Sequence, residues 1–328
     1  MKGIRIHETG ASSVLRLETN IPTPNLDPSS VLVKLEYAGV NFVDIYQRTG
    51  IYPTTLPLTA GREGAGTITQ LGASVPPSLN LSVGDRVAVF AQGTMAEYVS
   101  APVSSSVMKL PPSIPTQHGA AIMLQGLTAW TLVREAHDVQ PGQVVLVQAA
   151  AGGTGGLVVQ MCKHLGATVI GTVSTPEKAA LATSHGCDHV IRYKDTSVEE
   201  QVMRLTDGKG CHAVFSGVGQ ATFATDLACT RRKGTLVSYG NSSGVVGDFR
   251  ILELSKKNVK LVRPTLANYI ADEAEFGQRA AELTGLLESG AVWVTVGGVY
   301  RLDELGKAQD DLAQQKTMGK LLVRIADE

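Results

Sequence analysis

The run Ala149-Ala150-Ala151-Gly152-Gly153-Thr154-Gly155-Gly156 constrains this chain more than any other stretch. It joins a largely apolar strand segment, VVLVQAA over 144–150, to a segment of helical character that reaches Leu165. A continuous apolar strand is what a parallel sheet buried on both faces requires. A second apolar strand, TVIGTV over 168–173, follows the helix, so the three pieces form one βαβ unit. At such a strand-to-helix bend, glycines let backbone N–H groups approach a diphosphate, and the helix N-terminus favours its negative charge. Gly152, Gly153, Thr154 and Gly155 therefore read as a dinucleotide-binding loop, with Gly152 and Gly155 in Ala-x-x-Gly-x-x-Gly register from Ala149.

The alternation continues through HVI (189–191), AVFSGV (213–218), TLVSYG (235–240) and VKLV (259–262), which predicts an α/β Rossmann fold with a doubly wound parallel sheet. The first 110 residues differ. Segments such as VLVKLEYAGV (31–40), GAGTITQLG (64–72) and DRVAVFA (85–91) are β-rich and punctuated by Gly and Pro. Thr116 is expected to cap a helix whose stripe, Leu124, Leu127, Trp130 and Val133, ends near His137. Beyond Pro264, helices are expected at about 272–289 and 303–315, on either side of VTVGGVY. KLLVRI (320–325) has no helix after it and is expected to return to the N-terminal domain. With 328 residues, the chain divides into a domain over 1–122, completed by 266–328, and a dinucleotide-binding domain over 123–265.

Charge and composition narrow the partners. With 29 Lys and Arg against 30 Asp and Glu, the net charge of −1 offers no global attraction to nucleic acid or anionic lipid. Six Phe, two Trp and eight Tyr are too few for a base-stacking platform. Cys162, Cys187, Cys211 and Cys229 show no Cys-x-x-Cys spacing and read as reduced core thiols. The N-terminal MKGIRIHETG lacks the apolar core of a signal peptide, and the longest apolar stretch, near 144–151, falls short of the roughly 20 residues that span a bilayer. The final Ala326-Asp327-Glu328 is neither a peroxisomal nor a retention signal, so a cytoplasmic location without membrane partners is expected.

The choice of nucleotide turns on the end of the second strand. An NAD site would place a carboxylate there for the adenosine 2′-hydroxyl. This chain has Val173, Ser174 and Thr175, followed by Glu177 and Lys178. Hydroxyls and a lysine suit a 2′-phosphate, which makes NADPH the expected cofactor. Glu177 has an ordinary reading as a first-turn carboxylate after Pro176, and Lys178 has one as a solvated helix charge.

Gly142-Gln143, Leu146, Ala150-Ala151-Gly152-Gly153, Gly155, Gln160 and Lys163 together resemble the nucleotide-loop signature of the quinone oxidoreductase and zeta-crystallin group, in the medium-chain dehydrogenase/reductase superfamily. The resemblance extends through GVNFVDIYQRTGIYP (39–53), VGDRVAV (83–89), AAIMLQGLTAW (120–130), SYGNSSG (238–244) and GKLLV (319–323). Thr154 departs from it, standing where Val is expected. Zinc-dependent relatives carry a Gly-His-Glu motif where this chain has Gly61-Arg62-Glu63, and a four-cysteine lobe where it has FAQGTMAE. Neither the histidine nor the cysteine lobe of those relatives is present, so no metal site is expected.

The resemblance implies a β-rich, GroES-like catalytic domain beside the Rossmann domain, and an NADPH-dependent reductase of small quinones that works without zinc. A conjugated acceptor needs no Lewis acid, because it delocalises the developing charge itself. The alternatives are an enoyl or 2-alkenal reductase, and a non-catalytic crystallin or RNA-binding protein that retains the cofactor site. By the same resemblance Asn41, Tyr46 and Tyr52 position substrate at the nicotinamide end of an interdomain cleft, with no essential acid or base assigned; Asn41 and Tyr46 also touch cofactor. Tyr46 has a second reading as a core residue at helical spacing from Phe42, and Tyr52 as turn packing. Gln125 and Thr128 would approach the cofactor from the connecting helix, while Ser174, Lys178 and Tyr193 would surround the 2′-phosphate and adenine. Tyr239, Gly240, Asn241 and Ser242 would face the cofactor from the carboxyl edge of the sheet, with Arg263 reaching its phosphates or nicotinamide arm. Arg231-Arg232-Lys233 reads as a charge complement to a helix C-terminus, and VKLV as the edge through which a homodimer would pair.

Overall fold

In the computed structural model, residues 1–325 are described, so the expectation for Ala326-Asp327-Glu328 lies outside the described residues. The chain opens with β1 (Gly3–Ile6), β2 (Arg16–Glu18), β3 (Ser30–Val40), α1 (Phe42–Thr49), β4 (Leu58–Thr59), β5 (Glu63–Leu71), β6 (Arg86–Phe90), β7 (Tyr98–Pro102), β8 (Val107–Lys109) and α2 (Thr116–Thr131). The parallel region holds β9 (Val144–Val147), α3 (Gly153–His164), β10 (Thr168–Val173), α4 (Pro176–Ser184), β11 (His189–Arg192), α5 (Val198–Leu205), β12 (Cys211–Ser216), α6 (Phe223–Cys229), β13 (Thr230–Ser238) and β14 (Lys260–Val262). It is followed by α7 (Glu273–Glu288), β15 (Val296–Arg301), α8 (Leu305–Ala313) and β16 (Lys320–Arg324). Two compact units result. One holds residues 1–127, 270–289 and 294 onward; the other holds 128–269 and 290–293.

The first unit is built on a sheet in the order β15-β16-β3-β5-β6-β8, with β7 also paired to β3. KLLVRI does return to the N-terminal region: β16 runs antiparallel to β3, with Leu321 opposite Val40 and Arg324 opposite Tyr37. Val31, Val33, Leu35, Val87, Val89 and Val323 are buried in its core. Helix α1 leaves β3 through Asn41 and stops at Gly50, whose φ of 80° is a left-handed geometry that glycine adopts without a Cβ penalty. Arg48, buried on α1, donates to Gln309 Oε1 on α8 at 2.7 Å and to the Gly10 carbonyl at 2.7 Å, which fixes the roll of the helix. Thr116 is not the expected cap. It lies in the first turn of α2, and its hydroxyl donates to Glu36 Oε2 at 2.6 Å.

The second unit is a six-stranded, wholly parallel sheet in the order β11-β10-β9-β12-β13-β14. The chain reverses its direction of travel across the sheet between β9 and β12, where open α/β sheets take their ligands. Val145, Leu146, Val147, Ile170 and Phe215 have no exposed surface, as strands covered on both faces require. Strand β9 ends at Val147, earlier than the apolar run suggests, because Ala149 already turns the chain with a φ of 53°.

The basic triplet is a correction. Helix α6 ends at Cys229, where the Thr230 hydroxyl donates to the Asp226 carbonyl at 2.7 Å; Arg231, Arg232 and Lys233 belong to β13. The cation at the helix end is Lys257, whose Nζ donates to the carbonyls of Ala228 at 2.6 Å and Thr230 at 3.0 Å. All four cysteines are buried and free, and burial holds the Cys187 and Cys229 thiols up at about 12.

Two histidines set an acid limit for the second unit. His137 lies between Thr235 Oγ1 at 3.0 Å and Gln143 Oε1 at 2.9 Å, and Arg231 Nη1 donates to His212 Nε2. Burial, then the charge of Lys260, holds His137 below the ordinary imidazole range; burial, then Arg231, does the same to His212. Unfolded imidazoles titrate near ~6.5, so stability present above that pH is lost as pH falls toward the depressed native values. The urea midpoint is expected to drop between pH 7 and pH 5, and to drop less in the His137→Gln/His212→Gln double variant.

Candidate functional site

The glycine loop is a backbone cradle. Gly152 N–H donates to the Ala149 carbonyl at 2.8 Å, and α3 starts at the next residue. The first-turn N–H groups of Gly153, Thr154 and Gly155 have no partner within the helix and form the donor set an anion needs. A Cβ on Gly155 would lie 2.3 Å from the Ala149 carbonyl oxygen, so the helix seats against the loop at a separation only glycine permits. On Gly156, a Cβ would meet the His185 ring at 2.6 Å.

A buried polar network that the sequence reading missed supports this bend. Gln148 Nε2 donates to Asp226 Oδ1 at 2.6 Å, Thr172 Oγ1 donates to Gln148 Oε1, and Thr222 Oγ1 donates to Asp226 Oδ2 at 2.8 Å. Burial pushes the Asp226 carboxyl up, against the pull of those hydrogen bonds. The available signal was one glutamine at the end of an apolar strand.

At the end of β10, Thr175 caps α4 and accepts from Lys178 N–H at 3.3 Å. The Glu177 carboxylate is held below its usual range by its own backbone N–H and then by the Thr175 hydroxyl, so its charge complements the helix start. Tyr193 N–H donates to the Val173 carbonyl at 3.1 Å, which places Tyr193 beside Ser174. Across the sheet, Tyr239 N–H donates to the Ser216 carbonyl at 2.8 Å, and its ring packs where Gly217 leaves room. Gly240 also abuts Gly217, and Ser242 N–H donates to the Gly217 carbonyl at 3.2 Å. Arg263 Nη1 donates to the Ser238 carbonyl at 2.8 Å; with the Asn241 amide turned to suit its neighbours, Arg263 Nη2 donates to its oxygen at 3.0 Å. Tyr239, Gly240, Asn241, Ser242 and Arg263 thus converge at the carboxyl ends of β12, β13 and β14.

The first unit carries a buried charge cluster. Glu63 begins β5 and Lys320 begins β16; both are fully buried and ion-paired. Lys320 Nζ also donates to Asn41 Oδ1 at 2.8 Å and to the Val40 carbonyl at 3.2 Å. Glu63 Oε1 accepts from Asn41 Nδ2 at 2.7 Å, and Oε2 accepts from Leu124 N–H at 2.6 Å. Gly39 admits this carboxylate, since a Cβ there would sit 2.3 Å from Glu63 Oε1. Asn41 Nδ2 further donates to the Gly39 carbonyl at 3.4 Å, and Gln125 Nε2 donates to Asn41 Oδ1 at 3.3 Å. The amide of Asn41 therefore has both hydrogens and both lone pairs engaged by protein groups.

Around this pin lie groups with capacity to spare. Asp44 Oδ2 accepts from Asn41 N–H at 2.8 Å, while its buried Oδ1 and the buried Oε1 of Gln125 have no protein partner. Burial pushes the Asp44 carboxyl up to about 7, against the opposing pull of Asn41 N–H, Lys320 and Arg62. Two residues on, Tyr46 is buried edge-on to Tyr52, ring centroids 5.2 Å apart, and 6.0 Å from the Phe42 ring, the contact its helical spacing to Phe42 implies. Thr128 follows Gln125 by one turn of α2. Asp44, Glu63 and Lys320 received no role from the sequence, although Glu63 and Lys320 lie in the Gly61-Arg62-Glu63 and GKLLV segments.

Removing one member of a buried pair leaves an uncompensated charge, at a cost of roughly 3–5 kcal/mol. Lys320→Met is expected to lower unfolding free energy by about that amount. Adding Glu63→Gln should recover part of the loss, as a denaturant-based double-mutant cycle would show.

Residues 27–112 match the family model for the alcohol dehydrogenase GroES-like domain, and residues 153–285 match that for zinc-binding dehydrogenase. The quinone oxidoreductase of Pseudomonas aeruginosa is 39% identical over 300 residues, covering 90% of this chain and 91% of that one. The 2-haloacrylate reductase of a Burkholderia species is 32% identical, covering 97% of each chain. A mycobacterial structure complexed with NADPH superposes with a TM-score of 0.95 at 39% identity, covering 99% of this chain and 100% of the other. Likeness of this extent joins the mixed sheet of the first unit and the glycine-cradled parallel sheet of the second in one known lineage: the chain is an oxidoreductase and belongs to the quinone oxidoreductase family of the medium-chain dehydrogenases/reductases.

Proposed function

We propose that the protein is an NADPH-dependent quinone reductase that works without zinc. The observation that carries this reading is the glycine cradle at the start of α3, whose first-turn N–H groups can receive a diphosphate, beside a strand end that carries Ser174, Lys178 and Tyr193 and where the Glu177 carboxylate bonds to its own helix start. When bound, NADPH supplies the hydride. Gly152, Gly153, Thr154 and Gly155 would hold its diphosphate through backbone N–H groups, and Lys178 its 2′-phosphate. Tyr239, Gly240, Asn241, Ser242 and Arg263 would line the dinucleotide further along the sheet edge.

The first unit would contribute the acceptor-binding groups. Tyr52, half-buried beside the buried Tyr46, would offer an aromatic face to a flat quinone, and a phenol can donate a hydrogen bond to a reduced oxygen. Asn41 would act by holding α1 in place, while Gln125, with an unused carbonyl, and Thr128 would meet the cofactor from α2. The family description includes zinc, but these residues do not fit it. Among the described residues no three His, Cys, Asp or Glu side chains group to hold a metal ion, and the Glu63 carboxylate is already bonded at both oxygens. The fixed cation Lys320 pairs with it, and the charge of Arg62 acts on neighbouring Asp44.

The reading also keeps residues 1–122 with 266–328 as the catalytic portion and 123–265 as the nucleotide portion. A cytoplasmic homodimer completes it, paired through the open edge of β14; the four free buried thiols favour a reducing compartment. No described helix is long and apolar enough to cross a membrane. The 2-haloacrylate reductase relative favours a second reading, reduction of an activated alkene by the same donor.

NADPH oxidation measured with ortho-quinones, para-quinones, 2-alkenals and 2-haloacrylate separates the two. Quinones are expected to show the highest kcat/KM; a clear preference for alkenes would reverse the assignment. Lys178→Ala is expected to raise KM for NADPH on the order of tenfold, the equivalent of one charge-assisted hydrogen bond, and to leave KM for NADH nearly unchanged.

A further inference from the structure

We infer that Lys194 is a second cation of the site that receives the cofactor's 2′-phosphate, acting with Lys178 to select a phosphate monoester over a ribose hydroxyl. The inference rests on the assignment of Ser174, Lys178 and Tyr193 to that site. Strands β10 and β11 run parallel, with Thr172 opposite Ile191 and Val173 opposite Arg192. The Tyr193 N–H bond to the Val173 carbonyl carries this register past the strand ends. Ser174 and Thr175 therefore run beside Tyr193 and Lys194 just where α4 begins. Lys178 is the third residue of α4, which packs on β11. Lysines from two segments that are not contiguous in sequence thus share one corner of the sheet.

The surrounding charges leave that corner positive. Asp195 is taken by Arg192, whose Nη2 lies 2.7 Å from its Oδ2, and Glu177 is turned to its own helix start. Lys194 is exposed and has no ion pair among the described residues. Its charge is felt by Lys178, which burial first and Lys194 second hold below the ordinary lysine range. Two ammonium groups in mutual repulsion are relieved by a divalent anion between them. A phosphate monoester carries about −1.5 to −2 charges at pH 7, whereas the 2′-hydroxyl of NAD carries none.

Calorimetric titration of the full chain with 2′,5′-ADP and with 5′-ADP tests the assignment without turnover. Lys194→Ala is expected to weaken 2′,5′-ADP about tenfold, a loss of about 1.4 kcal/mol, with 5′-ADP within twofold of the parent. Lys194→Arg should restore most of the loss. The salt dependence of 2′,5′-ADP binding should become shallower in Lys194→Ala, and affinity in the parent should fall below about pH 6 as the phosphate takes up its second proton. If Lys178→Ala lowers 2′,5′-ADP affinity and Lys194→Ala leaves it unchanged, Lys194 has no part in the site, although the site stands. If neither variant changes it, or the parent binds both ligands equally, the 2′-phosphate assignment itself fails.

Discussion

An ammonium and a carboxylate buried together hold the first unit in register. Lys320, near the C-terminus, and Glu63 are separated by most of the domain's sequence, yet one ion pair joins β16 to β5. Their remaining hydrogen bonds reach Val40, Asn41 and the backbone of Leu124, so four segments converge on one pair of charges. An unpaired charge there would be far costlier than a surface charge, because no water can replace the missing partner. The pair therefore makes the start of α1 depend on strand pairing at the end of the chain. Tyr46 and Tyr52 inherit their position from that dependence, assisted by Arg48, which ties α1 to α8.

The second unit uses a different device. Its central strands are apolar and covered on both faces, and the edge at their carboxyl ends is shaped by backbone contacts that a side chain would obstruct. Gly155 against Ala149 and Gly217 against Tyr239 and Gly240 are close approaches of this kind. Beneath them, Gln148, Thr172, Thr222 and Asp226 give the bend a polar foundation whose donors and acceptors satisfy one another. A rigid cradle of N–H groups loses little entropy when an anion arrives.

The parallel-sheet unit was legible in the sequence because its signals are local. An apolar strand, a glycine bend and a helix lie within one short stretch, and the parallel order follows from the alternation of elements. The helix-end role of Arg231-Arg232-Lys233 was misread for the converse reason. Where α6 stops depends on the Thr230 hydroxyl and on Lys257, which arrives from a distant position. Asn41 stood out as an amide in a distinctive segment, but the filling of its hydrogen-bonding capacity by Lys320, Glu63, Gln125 and Gly39 is a three-dimensional fact.

Residue order alone set the βαβ succession, the glycines at the strand-to-helix turn, the hydroxyls and lysine at the end of the second strand, and Arg62 where zinc-dependent relatives carry histidine. These are matters of residue type at short separation, where local sterics and charge decide the outcome. Folding in three dimensions was needed to bring Lys320 to Glu63, to bury Asp44 with one oxygen unmatched, and to set Lys194 near Lys178. Electrostatic partners are chosen by distance in space and by exclusion of water. Both are set only after strands far apart in the chain have paired.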